Sequence, residues 1–412
     1  MKRRGLMLSI VLVLVLAGCM PQGESGDGPA QITYFHPGLE QPEMREMIDE
    51  LVQEFEQKHP DIDVKVQSVG WDQSYQKLVS GFNAGEAPDV IYGGSRWIAS
   101  FAAMQAIQPL NAEGEKRLAL YPKPLQKAAR YQGKAYGIPR GFSSRTLIYR
   151  TDLIEEPPQT WEELVQVAKK VQQEHEGIYG FGVAGAKHVS TTTQYFNYLF
   201  QNGGQVFDEK GNVKLNSPEA AEALQFYADL YRKHQVVPNP LEYNREQLPI
   251  LFKEGKIAMF VCGPWARQMM ARAPDNEKTP YKAAPLPKGG KMANTLVSDS
   301  LMISAQTEHP EAAWTFIQYI TSPKEQTQYD IERNTIPLQT KEAEDPFFQN
   351  DPYVREFVKM IDYGKPQPAP KAWEPFEEIV TQAVQRALNG EKAEKVLDDA
   401  AAQIKKQQLE PK

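Results

Sequence analysis

Two cysteines, Cys19 and Cys262, are all that this chain contains, so at most one disulfide is open to it and the fold must rest on its hydrophobic core. Its six histidines, His36, His59, His175, His188, His234 and His309, are scattered, and neither HExxH nor CxxC brings ligands to metal spacing. There is no GxSxG elbow, no Walker loop and no EF-hand loop. Neither a cofactor nor a metal is expected. Beyond the first four residues no basic run occurs, and the net charge is −7, which speaks against a nucleic-acid partner. No internal apolar stretch reaches the roughly 20 residues that a membrane-crossing helix needs. No internal repeat is visible. The 53 Asp and Glu residues could conceal a glycosidase-like pair, but most must simply be a solvated surface.

What is present begins with a leader. MKRR is followed by a short apolar run over 5–15 and then by Leu16-Ala17-Gly18-Cys19. This is the layout of a secretory signal with small residues before its cleavage point. LAGC matches the bacterial lipobox, so residues 1–18 are expected to leave and Cys19 to carry lipid chains such as palmitate. Loss of Lys2, Arg3 and Arg4 takes the net charge from −7 to −10. Residues 19–30, with QGESGDGPA at 22–30, read as a flexible tether. The expected location is the outer face of the cell membrane. With Cys19 lipidated, Cys262 has no partner and reads as a buried, passive thiol.

The mature chain alternates strand and helix. The patterns predict strands over 31–35, 62–66 and 90–92, and helices over 42–59 and 71–84 between them, the rhythm of a mainly parallel α/β sheet. A hairpin-like turn follows at 131–137, with a loop beginning at Ile138-Pro139, a strand at 146–149 and a helix start at Asp152-Leu153. Thr160 is a candidate cap for a helix ending near His175, and Ser217 caps another that runs to His234. A surface hairpin is expected at 206–213, strands near 282–287 and 301–304, and helices at 310–321, 376–388 and 391–407. Residues 180–185 match GxGxxG, but a helix comes before them and residues 187–192 make a poor helix opening, so the glycines read as a strand and its loop rather than a dinucleotide fingerprint. Residues 254–265, EGKIAMFVCGPW, predict a turn at Gly255, a buried strand over 256–262 and a stop at Gly263-Pro264. Trp265 then emerges at a strand's carboxyl end, where open α/β sheets bind ligands.

Six motifs in order carry a resemblance: LAGC at 16–19, GEAPDV at 85–90, YGIP at 136–139 with LIY at 147–149, PQTWEEL at 158–164, GKIAM at 255–259 with GPW at 263–265, and EAAWTFI at 311–317. Together they resemble the extracellular solute-binding proteins of family 1, the sugar-binding subunits of ABC importers, along nearly the whole mature chain. The resemblance implies an α/β fold of two lobes joined by crossing segments, with the ligand cleft between them. It places one lobe at 31–140 plus 298–342 and the other at 145–295 plus 345–412.

It also implies a function without catalysis: capture of a sugar or oligosaccharide by hinge closure, and delivery to the transmembrane permease of an ABC importer. A monomer is expected. The ligand contacts implied are His36 and Glu40, then Ser95, Arg96 and Trp97, then Arg140, Ser143 and Arg145 on the crossing loop. Tyr195, Asn197 and Trp265 follow from the second lobe, Asp299 after the return crossing, and Trp373 before the last helices. Maltose-binding relatives carry an aromatic residue where Gly93 stands, and Arg140 and Arg145 replace an acidic contact. A uronate, a glycerol phosphate or another polar solute is therefore an alternative ligand. A surface-displayed carbohydrate-active hydrolase is the alternative from another class.

Overall fold

The computed structural model describes residues 28–39, 42–272, 279–339 and 341–411. Cys19, the leader, most of the tether and Glu40 lie outside the described residues. The chain opens with β1 (Ala30–Phe35), α1 (Pro42–Lys58), β2 (Ile62–Gln67), α2 (Trp71–Ala84) and β3 (Val90–Gly94). β1 lies between β2 and β3, parallel to both, as the alternation predicts. α2 keeps its expected limits because Gly85, at φ 76°, turns left-handed and ends it.

The crossing region departs from the expected loop. β4 (Ile138–Ser143) and β5 (Thr146–Arg150) are consecutive strands that enter different sheets. Ile138-Pro139 begins β4 because that segment pairs antiparallel with a strand far along the chain, β8 (Asn294–Ile303). Asp152-Leu153 forms a turn and no helix. β5 is the centre of a second sheet, antiparallel to both β6 (Met259–Cys262) and β7 (Tyr281–Ala284). This second sheet is antiparallel at its centre, and parallel bridges at Tyr179–Ile257 and Gly182–Phe260 extend it.

Between β5 and β6 come α3 (Trp161–Glu174), α4 (Val189–Gln201), α5 (Pro218–Arg232) and α6 (Leu248–Lys253). Thr160 and Ser217 cap α3 and α5 as predicted, accepting from the backbone N–H groups of Glu163 and Ala220. α4 corrects the reading of residues 187–192. His188 caps it by accepting from the N–H of Ser190 at 3.1 Å, and residues 190–201 are all buried, so packing outweighs the poor opening. The GxGxxG glycines serve that packing. A Cβ at Gly180 would strike the backbone of Ala168, and one at Gly185 would meet Leu388 and Pro240.

After β6 follows α7 (Ala266–Arg272). The chain returns through β8, then α8 (Pro310–Ile320), α9 (Pro323–Glu332) and β9 (Gly364–Pro366), and ends in α10 (Trp373–Leu388) and α11 (Ala393–Lys406). β8 joins the two halves: it pairs antiparallel with β3 and β4 and parallel with β9. The crossings are tied at Asn294, which accepts from the N–H of Arg145 at 3.1 Å and donates to Met360 O at 2.6 Å. Ser144 donates to Phe357 O at 2.6 Å beside them. Two α/β lobes thus share a hydrogen-bonded set of crossing strands.

Several motif residues hold this scaffold. Asp89 accepts from the N–H and Oγ1 of Thr33, both at 2.8 Å, locking β3 to β1. Trp161 donates to Gln201 at 2.9 Å and stacks on Phe226 at 4.3 Å. Cys262 is buried at the end of β6, and burial pushes its thiol up to about 11. Among the described residues no helix is long and apolar enough to cross a membrane.

Candidate functional site

The strand ends of the first sheet place charge and ring faces together. After β3 the chain turns through Ser95–Trp97, and two glycines make that turn possible. A Cβ on Gly93 would come within 2.7 Å of the Trp97 ring, and one on Gly94 would collide with the Arg96 guanidinium. The aromatic residue missing at Gly93 is thus replaced by Trp97 folded back over the strand. Trp97 itself is buried among Trp71, Tyr75 and Phe101, and the structure makes it a core residue rather than a free ligand platform.

Arg96 reaches past it. Its guanidinium lies 3.6 Å from Asp299 and over two rings, Trp97 at 5.0 Å and Trp373 at 5.3 Å. Asp299 also accepts from Tyr92 Oη at 3.4 Å. One Asp299 carboxylate oxygen and the Nε of Arg96 are buried without a hydrogen-bond partner among the described residues. Burial raises the carboxyl of Asp299 above its usual range and lowers Arg96. Unfilled polar atoms at a ring-lined spot are a place for a polar ligand. Ser95 is hydrogen-bonded to Ser300 at 2.8 Å beside them.

Beneath this pair lies a string of rings. His36 stacks on Tyr92 at 4.6 Å, its Nδ1–H donates to Pro37 O, and its Nε2 accepts from Tyr329 at 3.2 Å. Burial, and then the nearby Arg333, hold His36 well below the usual imidazole range, so it sits neutral. Both nitrogens are engaged, and it supports the site from below.

The second lobe contributes Trp265, which stands half-buried after β6 and the Gly263-Pro264 turn. Its indole folds back across Gly263, where any Cβ would collide with the ring. Two guanidinium groups approach it, Arg145 at 5.0 Å and Arg245 at 5.2 Å. Arg245 is paired with Glu246 at 2.7 Å and donates to Thr193 at 3.1 Å. Among the described residues Arg145 hydrogen-bonds to neutral partners only, Ser143 Oγ at 3.0 Å and Ser144 O at 2.9 Å. Burial, and then the like charge of Arg245, lower it to about 9, with Glu246 and Asp299 opposing them only in part. Trp373 is the first residue of α10 rather than a residue before it, and it is buried against Phe376 and Arg96.

Three expected contacts belong elsewhere. Tyr195 is buried on α4, and its hydroxyl donates to Ala220 O at 3.0 Å in the helix core. Asn197 accepts from the N–H of Thr295 at 2.9 Å and ties α4 to β8. Arg140 is wholly buried, donating to Ile320 O and to Gln326 at 2.9 Å, with its guanidinium 3.8 Å above the Tyr329 ring. Each bonds inside a lobe, although Nε and Nη2 of Arg140 are buried without a hydrogen-bond partner among the described residues. Conversely, Tyr92, Arg245, Tyr329 and Arg333 join the site without a sequence signal of their own. Arg333 follows α9, a helix the periodicity did not reveal.

The lobes touch around this site. Arg267 on α7 donates to Asn334 at 3.2 Å beyond α9, and Gln76 on α2 donates to Glu374 at the start of α10.

Comparison with known proteins agrees with this architecture. The maltose-bound MalE3 protein of T. maritima superposes with a TM-score of 0.83 at 29% identity, covering 92% of this chain and all 100% of that one. A solute-binding protein of an ABC transporter from Thermotoga lettingae, bound to α-D-tagatose, gives 0.84 at 27%, covering 92% and 99%. A Streptomyces antibioticus protein described as an uncharacterized lipoprotein is 29% identical over 363 residues, 84% of this chain and 78% of that one. The sequence profile of the bacterial extracellular solute-binding proteins matches residues 41–327, and with two lobes of the same fold around a shared crossing, this chain belongs to that family.

Proposed function

We propose that this chain is the sugar-binding component of an ABC importer, anchored by lipid on Cys19 to the outer face of the cell membrane, and that it delivers its solute to the permease as a monomer. The observation that carries the reading is the half-buried Trp265 beside Arg145 and Arg245, with the carboxylate of Asp299 interacting electrostatically with both Arg145 and Arg96. Sugar rings offer apolar C–H faces to indoles, and their hydroxyls accept from guanidinium and donate to carboxylate groups. The proteins bound to maltose and tagatose support a carbohydrate ligand for this fold. The lipoprotein relative and the LAGC sequence support the anchor.

In this reading the lobes span 31–140 plus 298–342 and 145–295 plus 345–412, and they move about the ties at Asn294. Arg96, Asp299, Arg145 and Trp265 meet the ligand, while Trp373 backs Arg96 and Ser95, Ser143 and His36 hold those side chains in place. The closed, liganded form is what the permease recognises. Thermal melting of the purified protein against neutral oligosaccharides, tagatose, uronates and glycerol phosphate tests it. A saturable rise in melting temperature with one carbohydrate and no turnover is the expected result. Release of sugar products would replace the receptor with a hydrolase, and a response to glycerol phosphate alone would replace the sugar.

A further inference from the structure

Beside Arg96 a groove of 860 Å³ opens between the two lobes. It is lined by Ser95 and Arg96, by the hairpin at 130–133, by the loop at 203–211 and by residues 365–371. We propose that this groove binds an anionic oligosaccharide carrying uronate carboxylates; the inference rests on the sugar reading above and narrows it.

Charge is the first argument. Lys127, Lys210, Lys291, Lys365 and Lys371 all border the groove, and none has an ion-pair partner among the described residues. Its carboxylates are Asp208 and Glu209. Asp208 is occupied by its own loop, accepting from the N–H of Lys210 at 3.0 Å and of Asn212 at 2.8 Å, with Lys214 at 3.8 Å. Arg130 is likewise occupied, by Glu115 at 2.5 Å. On a chain of net charge −7, a groove bordered by unpaired lysines runs against the field of the whole molecule. A neutral sugar has no use for it.

The second argument is shape and ring faces. Tyr131 and Phe207, both only partly buried, line the same groove and supply flat apolar faces of the kind that sugar rings cover, while the buried Phe142 and Phe200 form its floor. The lysine charges come from several separate segments of both lobes. That spacing suits carboxylates repeated along an extended chain, whereas a single phosphate calls for donors gathered around it. The volume lies within the range of sites that enclose a small ligand.

The test is calorimetric titration of the purified protein with tetragalacturonate and with maltotetraose, at low and at high salt. Tetragalacturonate is expected to bind about tenfold more tightly, with the advantage shrinking as salt rises. Replacing both Lys365→Gln and Lys371→Gln is expected to weaken tetragalacturonate about five- to tenfold and leave the melting temperature of the free protein unchanged. Equal or tighter binding of maltotetraose, or tetragalacturonate binding that ignores the double variant, overturns the inference and leaves the sugar reading standing. Binding of neither saccharide, nor of any other carbohydrate in the melting screen, overturns both.

Discussion

Arg140 and Arg145 lie on the same crossing stretch, both buried, and the protein treats them in opposite ways. Arg140 is enclosed by partners fixed in place. Ile320 and Gln326 accept from it, Tyr329 lies under its guanidinium, and Gln326 in turn donates to Asp330 at 2.6 Å. Arg145 has two neutral oxygens, a neighbouring arginine and an indole. Neither has an ion pair among the described residues, and each keeps buried N–H groups unpaired. But a cation bonded to a distant helix with a carboxylate behind it holds a fold together, whereas one facing a second cation is a place for a counter-charge or a polar ligand. The residue type is the same, and the surroundings assign the role.

The largest expected effect tests the Arg140 side. Arg140→Ala strands the side-chain oxygen of Gln326 and the Ile320 carbonyl, and should cost about 3 kcal/mol in urea unfolding. A loss below about 1 kcal/mol would mean that Arg140 holds nothing, and the contrast with Arg145 would collapse. Next comes the site itself. Trp265→Ala should weaken binding of the best sugar from the melting screen by about 1 kcal/mol or more while the free protein melts nearly unchanged. Unaltered affinity in a titration would return Trp265 to the core.

A third test uses the carboxyls that stand behind Arg140. Glu342 is pushed up to about 9 by burial and then by its neighbour Asp330. Its folded value exceeds its unfolded one, so its contribution to stability is complete at pH values below the usual glutamate range. That contribution is lost as the pH climbs toward 9. Glu342→Gln, which keeps an oxygen for the N–H groups of Leu338 and Gln339, should flatten this slope and raise stability at pH 8 by about 1 kcal/mol. Parallel slopes in wild type and variant between pH 5 and 9 would refute it. The smallest effect belongs to Arg145→Met, which removes a charge the fold does not match. Unfolding should change by less than about 1 kcal/mol, in either direction. A loss as large as that of Arg140→Ala would erase the distinction between the two arginines.

Much of the framework was legible locally. The apolar spacing of residues 71–84 and the glycine after them define α2, Thr160 announces α3, and the Gly255 turn, at φ 74°, precedes β6 as expected. Residues 257–262 are buried throughout, as a near-continuous apolar run requires. The site was legible only in part. Trp97 and Trp265 both follow a strand and a glycine-containing turn, yet Trp97 fills a core pocket between α2 and the turn while Trp265 stays half-buried at the rim. Tyr195 and Asn197 stood on a helix whose burial on every side no local pattern announced.

By itself, then, the sequence determined the alternation of strands and helices, the caps and turns that bound them and, through six ordered motifs, the family. These depend on neighbours within a few residues, where periodicity and backbone preference act. Only the tertiary structure decided that Ile138-Pro139 belongs to a strand, that Arg140 bonds to α9 while Arg145 faces a second arginine, and that lysines from distant segments border one groove. Each of these depends on partners far along the chain, at β8, α9 or residues 365–371, and no local pattern can specify which of those partners a side chain will meet.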